Sequence, residues 1–208
     1  ELDENAEITI EVNPGTVTLE KLEDYNKVGI NRLSIGLQST HEHLLKEIGR
    51  IHTYLDFLDT FRFAREAGFE NINVDLMIGL PNQTLAEVQD SIEEIVSMEP
   101  EHISVYSLIL EEGTPLFKKV EEGLELPDEE LERKMYWTVK QILEANGYNH
   151  YEISNFAKQG YESKHNLDCW NQKEYIGFGV AAHSYTNGIR YSNIENLEQY
   201  IKNYEEDK

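Results

Sequence analysis

Glu11, Gln38 and Asp75 are polar side chains set within otherwise apolar, alternating stretches. Asp75 is the sharpest case. It lies in the middle of Asn-Ile-Asn-Val-Asp-Leu-Met-Ile-Gly-Leu-Pro, residues 71–81. A strand this apolar belongs inside a sheet covered by helices. A buried carboxylate then needs a partner or a ligand. The expectation is that Asp75 points into a cavity shared with residues of neighbouring strands, and that this cavity is the site. Arg50, which follows Gly49, is a candidate member; as an alternative it is the buried ion-pair partner of Asp75 or a surface charge. Glu11 alone also reads as a solvated strand residue. Two carboxylates, an amide and an arginine together suit a polar, zwitterionic small molecule with ribose hydroxyls.

The elements that must position these residues follow from the pattern. Residues 7–12 alternate and read as a strand ended by Asn13-Pro14-Gly15. Thr18 caps a helix to about Val28. Residues 32–38 form a second strand, and Ser39 with Glu42 reads as a capping box for a short helix over 40–48. Thr53 caps a longer helix carrying Leu55, Leu58, Phe61 and Ala64 at helical spacing. The strand of Asp75 follows. Thr84 with Glu87 opens a helix to about Met98, and residues 102–109 are a fourth strand. Asp128 caps a helix to Asn146, with Gly147 beyond it.

Strand and helix thus alternate, which implies a parallel sheet. One strand face carries Ile8, Ile10, Val12, Leu33, Ile35, Leu37, Ile72, Val74, Leu76, Ile103 and Val105. The other carries Glu11, Ser34, Gly36, Gln38, Asn73, Asp75, His102, Ser104 and Tyr106. A doubly wound sheet is apolar on both faces, and a closed, filled barrel is bulky inside. A polar inner face fits an open, partial (β/α) barrel lining a cavity. Glu11, Gln38 and Asp75 lie toward the C-terminal ends of their strands, where ligands of such folds bind.

The chain has 208 residues and a formal net charge of −22, which excludes nucleic-acid binding because phosphates are repelled. No apolar run is long enough to span a membrane, and no secretory signal stands at the N-terminus. The single cysteine, Cys169, rules out an internal disulfide and a cysteine-only metal site within one chain, so a cytoplasmic protein is the default. After residue 150 the periodicity is poor and the composition shifts to Tyr, Asn and His, which predicts short strands and loops. His165 and His183 are possible metal or heme ligands, although a lone histidine is more often structural. Cys169 reads as a small buried residue. The tail from Asn196 is an amphipathic helix start carrying Leu197, Tyr200, Ile201 and Tyr204.

The segments at 7–14 (Glu-Ile-Thr-Ile-Glu-Val-Asn-Pro), 31–39 (Asn-Arg-Leu-Ser-Ile-Gly-Leu-Gln-Ser), 73–81 and 102–108, in this order, resemble the radical S-adenosylmethionine (SAM) proteins of the HemN/HemW group. That group contains oxygen-independent coproporphyrinogen III oxidase and a related heme chaperone. Glu112-Gly113-Thr114-Pro115-Leu116 and His165-Asn166-x-x-Cys169-Trp170 look more like the chaperone branch, where the second motif has tyrosine in place of Cys169. The resemblance implies an α/β fold: about four of the six parallel strands of a TIM-like radical SAM barrel over residues 1–126, then a helix and a small α+β region over 127–208. It implies SAM contacts at Glu11, Gln38, Arg50, Asp75 and Ile109, and heme contacts at His165, Asn166 and Trp170. The expected cofactors are SAM and a [4Fe–4S] cluster, with heme or porphyrin, and a heme-accepting protein, as partners. The family's Cys-x-x-x-Cys-x-x-Cys loop is absent, so this chain holds no metal of its own. The chain then reads as a fragment that does not carry out radical cleavage alone. The implied function is heme handling by a chaperone. The alternatives are oxidative decarboxylation of coproporphyrinogen III, as an oxidoreductase, and a cluster-free binding module. The strand at 8–12 would be an exposed edge favouring self-association.

Overall fold

A computed structural model describes residues 3–206. Within 1–208 the chain forms two compact units, Glu1–Glu162 and Ser163–Lys208. The division falls later than the 126/127 boundary read from the sequence.

The first unit runs β1 (Thr9–Val12), α1 (Leu19–Lys27), β2 (Arg32–Gln38), α2 (Glu42–Glu47), α3 (Tyr54–Glu66), β3 (Ile72–Ile78), α4 (Leu85–Ser97), β4 (His102–Ser107), α5 (Pro115–Glu121), α6 (Glu129–Ala145), β5 (Asn149–His150) and β6 (Asn155–Ala157). Its sheet has the order β1-β2-β3-β4-β6-β5. β1 to β4 are parallel, with helices between them, as the alternation requires. β6 pairs antiparallel with β4, and β5 antiparallel with β6. This antiparallel extension is why the first unit reaches past 126: α6 packs on α4 and leads into strands of the same sheet. β1 is an edge strand, as expected.

The apolar strand face is the core. Leu33, Ile35, Leu37, Ile72, Val74 and Ile103 are fully buried against Phe57 and Ala64 of α3, Ile95 of α4 and Met135 of α6. Each such side chain contributes roughly 1.5–3 kcal/mol relative to exposure. Thr18, Thr53, Thr84 and Asp128 cap α1, α3, α4 and α6 through their side chains. Thr53 with Asp56 and Thr84 with Glu87 close full capping boxes.

The box expected from Ser39 and Glu42 does not form. His41 is the N-cap of α2, Ser39 Oγ accepts from the His41 amide at 3.1 Å, and the Glu42 carboxylate accepts from the Tyr54 amide at 2.8 Å. Glu42 thereby joins α2 to the start of α3. Gly113-Thr114-Pro115, which reads as a turn, opens α5: Thr114 caps it, and Pro115 sits in the first turn, where its missing amide costs nothing.

The second unit contains α7 (Lys164–Trp170), a two-stranded antiparallel sheet of β7 (His183–Thr186) and β8 (Ile189–Ser192), and α8 (Leu197–Glu206). α7 corrects the expectation of strands and loops. It is short, and its N-cap, Ser163, accepts from the Asn166 amide. The Tyr204 side chain assigned to the apolar stripe of α8 lies outside the described residues. Among the described residues no helix is long and apolar enough to cross a membrane.

Candidate functional site

The polar face of the parallel sheet converges on Asp75. Parallel register sets Glu11 beside Ser34, Ser34 beside Asn73, and Asn73 beside His102. One step further along, Gly36, Asp75 and Ser104 are neighbours, and Ser104 pairs with Asn155 of β6. Asp75 Oδ1 accepts from Asn73 Nδ2 at 2.7 Å, and Oδ2 accepts from Ser34 Oγ at 3.1 Å. Burial pushes the Asp75 carboxyl above its ordinary value. Hydrogen bonds from Asn73 and Ser34 oppose that rise, and the negative charge of Glu11 adds to it. Glu11 and Asp75 therefore share one electrostatic environment, although Glu11 is exposed.

Asp75 is not the ion-pair partner of Arg50. Arg50 Nη1 instead donates to Asn13 Oδ1 at 3.0 Å. Asn13 also lies close to Gln38, because both crowd the same glycine. A Cβ on Gly36 would sit 3.1 Å from Gln38 Nε2 and 3.5 Å from Asn13 Oδ1. Gln38 itself has φ +74°, and the pairing of β2 with β3 shifts register between Gly36 and Gln38. A glutamine held in the left-handed region is strained backbone, a condition that collects at binding sites. The bulge turns the end of β2 so that the Gln38 amide folds back over Gly36.

A cavity of about 500 Å³ opens beyond the strand ends. Its lining includes Arg50, Met77, Leu108, Ile109, Thr114 and Leu116. Met77 is two residues beyond Asp75 on the same face of β3, so the cavity adjoins the carboxylate along that strand. Ile109 is 78% exposed and presents its side chain to the cavity. The five residues expected around one ligand thus fall into two adjoining groups. Glu11 and Asp75 lie on the sheet face. Arg50 and Ile109 line the cavity, and Gln38 crowds Gly36 together with Asn13, the partner of Arg50.

His165, Asn166 and Trp170 all lie on α7 in the second unit. The His165 ring is exposed, and its Nε2 is 3.7 Å from Cys169 Sγ. Trp170 is 57% exposed. Cys169 is exposed, not buried as its sequence context implied, because α7 turns it outward one helical turn from His165. Among the described residues no group of three or more metal-ligating side chains comes together.

The residues left unassigned in the sequence are Asn73 and Ser34, which bond Asp75, with His102 and Ser104, which meet Asn73 Oδ1, and Tyr151, which meets His102 Nε2. The first four were visible as polar residues on one strand face. Tyr151 gave no signal, because its role depends on the antiparallel extension.

Four parallel strands alternating with helices, with an antiparallel extension, define a partial α/β barrel fold, and comparison with known proteins shows what it resembles. Residues 1–95 match the Radical SAM superfamily. Over those residues the chain is similar to that superfamily, and over most of its length it is similar to proteins named heme chaperone HemW. It is 47% identical over 94% of its length to the heme chaperone HemW of Bacillus subtilis, covering 52% of that protein. It is 41% identical to the mitochondrial radical S-adenosyl methionine domain-containing protein 1 of Danio rerio, over 88% of this chain and 41% of that one. The fold matches the Escherichia coli coproporphyrinogen III oxidase HemN with a TM-score of 0.80 at 23% identity, over 97% of this chain and 49% of that chain. The chain spans about half the length of the curated relatives it matches.

Proposed function

We propose that the protein to which this chain belongs binds heme and passes it to an acceptor protein, and that its barrel holds SAM. The observation that carries the heme reading is the 47% and 42% identity, over 94% of this chain, to two proteins named heme chaperone.

The sheet-face donor set fits SAM. The Glu11 and Asp75 carboxylates suit its positive charge and hydroxyls. Arg50 suits its carboxylate. Gly36 leaves a cradle that a Cβ would fill, roofed by the Gln38 amide, and Ile109 offers apolar contact at the cavity wall. SAM, given an electron from a donor outside this chain, would supply radical chemistry that none of these side chains has. What the chain's own residues do is bind and orient: Ser34 and Asn73 fix the Asp75 carboxylate, and Asn13 holds the Arg50 guanidinium at the mouth. A [4Fe–4S] cluster does not fit this chain. Its one cysteine, Cys169, cannot supply the thiolates such a cluster needs.

For heme, α7 supplies an exposed imidazole at His165, the usual type of axial ligand. Trp170 supplies an exposed ring and Asn166 a polar edge. The test is a hemin titration of the full-length protein, with coproporphyrinogen III turnover measured in parallel. A Soret shift without protoporphyrinogen formation is expected. His165→Ala should abolish the shift and His183→Ala should leave it. Turnover without heme binding would overturn the reading in favour of the oxidase. An unchanged titration in His165→Ala would remove His165 from it.

A further inference from the structure

We propose that Tyr151, His102 and Asn73 form a one-directional hydrogen-bond relay that orients the Asp75 carboxylate for its ligand. The inference rests on the reading of Asp75 as a ligand-facing residue. The direction follows from what each group can donate. A carboxylate only accepts. Asn73 must therefore turn its Nδ2 to Asp75 Oδ1, 2.7 Å away, which leaves Asn73 Oδ1 as an acceptor. Two donors meet that oxygen: Ser104 Oγ at 3.0 Å and His102 Nδ1 at 2.6 Å. His102 Nδ1 must then carry a proton. In a neutral imidazole Nε2 is left with a lone pair, and it accepts from the Tyr151 hydroxyl at 2.7 Å. Ser34 completes the arrangement. Its Oγ accepts from Asn73 Nδ2 at 2.7 Å and donates to Asp75 Oδ2. Each Asp75 oxygen thus takes one bond from within the sheet and keeps a lone pair for a ligand.

Two features keep His102 neutral. Its side chain is fully buried, and Arg32, buried at the start of β2, repels a positive charge there. Together they push the imidazole down to about 3, so the relay keeps its direction at physiological pH. The relay also explains the antiparallel extension. β5 and β6 flank Tyr151, whose amide donates to the Asn155 carbonyl at 3.3 Å, and this sets the phenol over β4. Tyr151, His102 and Asn73 are positioning residues, since they act through Asp75.

The test uses the full-length protein labelled with 15N-histidine. Long-range proton–nitrogen correlation at neutral pH should show His102 as the neutral tautomer protonated on Nδ1. A proton on Nε2, or an imidazolium, would overturn the relay. SAM affinity by calorimetry should fall about tenfold in His102→Leu. It should recover in His102→Asn, whose amide can donate from the Nδ1 position. Tyr151→Phe should shift the His102 Nε2 resonance and weaken binding a few-fold, and it tests the relay even where His102→Leu does not fold. Asp75→Asn separates the two readings. If it weakens binding and a folded His102→Leu does not, the relay fails. If Asp75→Asn binds SAM as the wild type does, the ligand reading of Asp75 fails, and the tautomer still decides the relay.

Discussion

Asp75→Asn should move ligand affinity and fold stability in opposite directions. The wild-type carboxylate is buried, and the hydrogen bonds from Asn73 and Ser34 do not fully offset the cost of burying its charge, so its native pKa lies above the unfolded value. A carboxyl with a raised native pKa binds more protons folded than unfolded, so stability falls as pH rises through the window between the two values. The amide has no such titration. Its carbonyl still accepts from Asn73, and its NH2 donates to Ser34 Oγ, so one hydrogen bond is reversed, not lost. The stability of the variant relative to wild type should therefore climb from about pH 4 upward and level off above the native pKa of Asp75. Ligand affinity should move the other way. Removing one charge from a buried, hydrogen-bonded charge contact costs about 2 kcal/mol at the low end, or about 30-fold in Kd. The assay is urea unfolding across a pH series together with SAM calorimetry on the full-length protein. A relative stability that falls as pH rises would refute the electrostatic argument, and an unchanged Kd would refute the ligand assignment.

Three further outcomes follow from named contacts. Gly36→Ala should lower SAM affinity with little loss of stability: the new methyl would sit 3.1 Å from Gln38 Nε2 and push that amide aside, which calorimetry and unfolding measured together would show. Glu101→Ala should destabilise by about 2 kcal/mol, because Glu101 takes both Arg65 Nη atoms at 2.8 and 3.0 Å and the Ile72 amide at 3.0 Å. Arg65 keeps the Phe69 and Glu99 carbonyls, which limits the loss, and a thermal midpoint lower by about 4–8 °C is the corresponding readout. Thr84→Ala should cost about 1 kcal/mol by opening the capping box of α4, and Thr84→Ser should restore most of it in the same denaturation assay.

Local physics was legible along the chain. Period-two alternation marked β1 to β4, and threonine and aspartate caps marked α1, α3, α4 and α6, because both signals act within a few residues. Asp75 stood out for the same reason: a carboxylate between Val74 and Leu76 conflicts with its neighbours whatever the fold. The short helix α2 was read, but two others escaped. α5 and α7 have seven residues each, too few for a period to repeat. The left-handed turn at Gln38 escaped too, since it is imposed by the register of β2 on β3. What holds Asp75 was beyond reach of the sequence. His102 meets Asn73 across 29 residues and Tyr151 across 49. Nothing in a one-dimensional pattern says which polar residue will face which. Only when the parallel strands settle into register, and the antiparallel extension closes beside them, do these donors and acceptors come within bonding distance and acquire a direction.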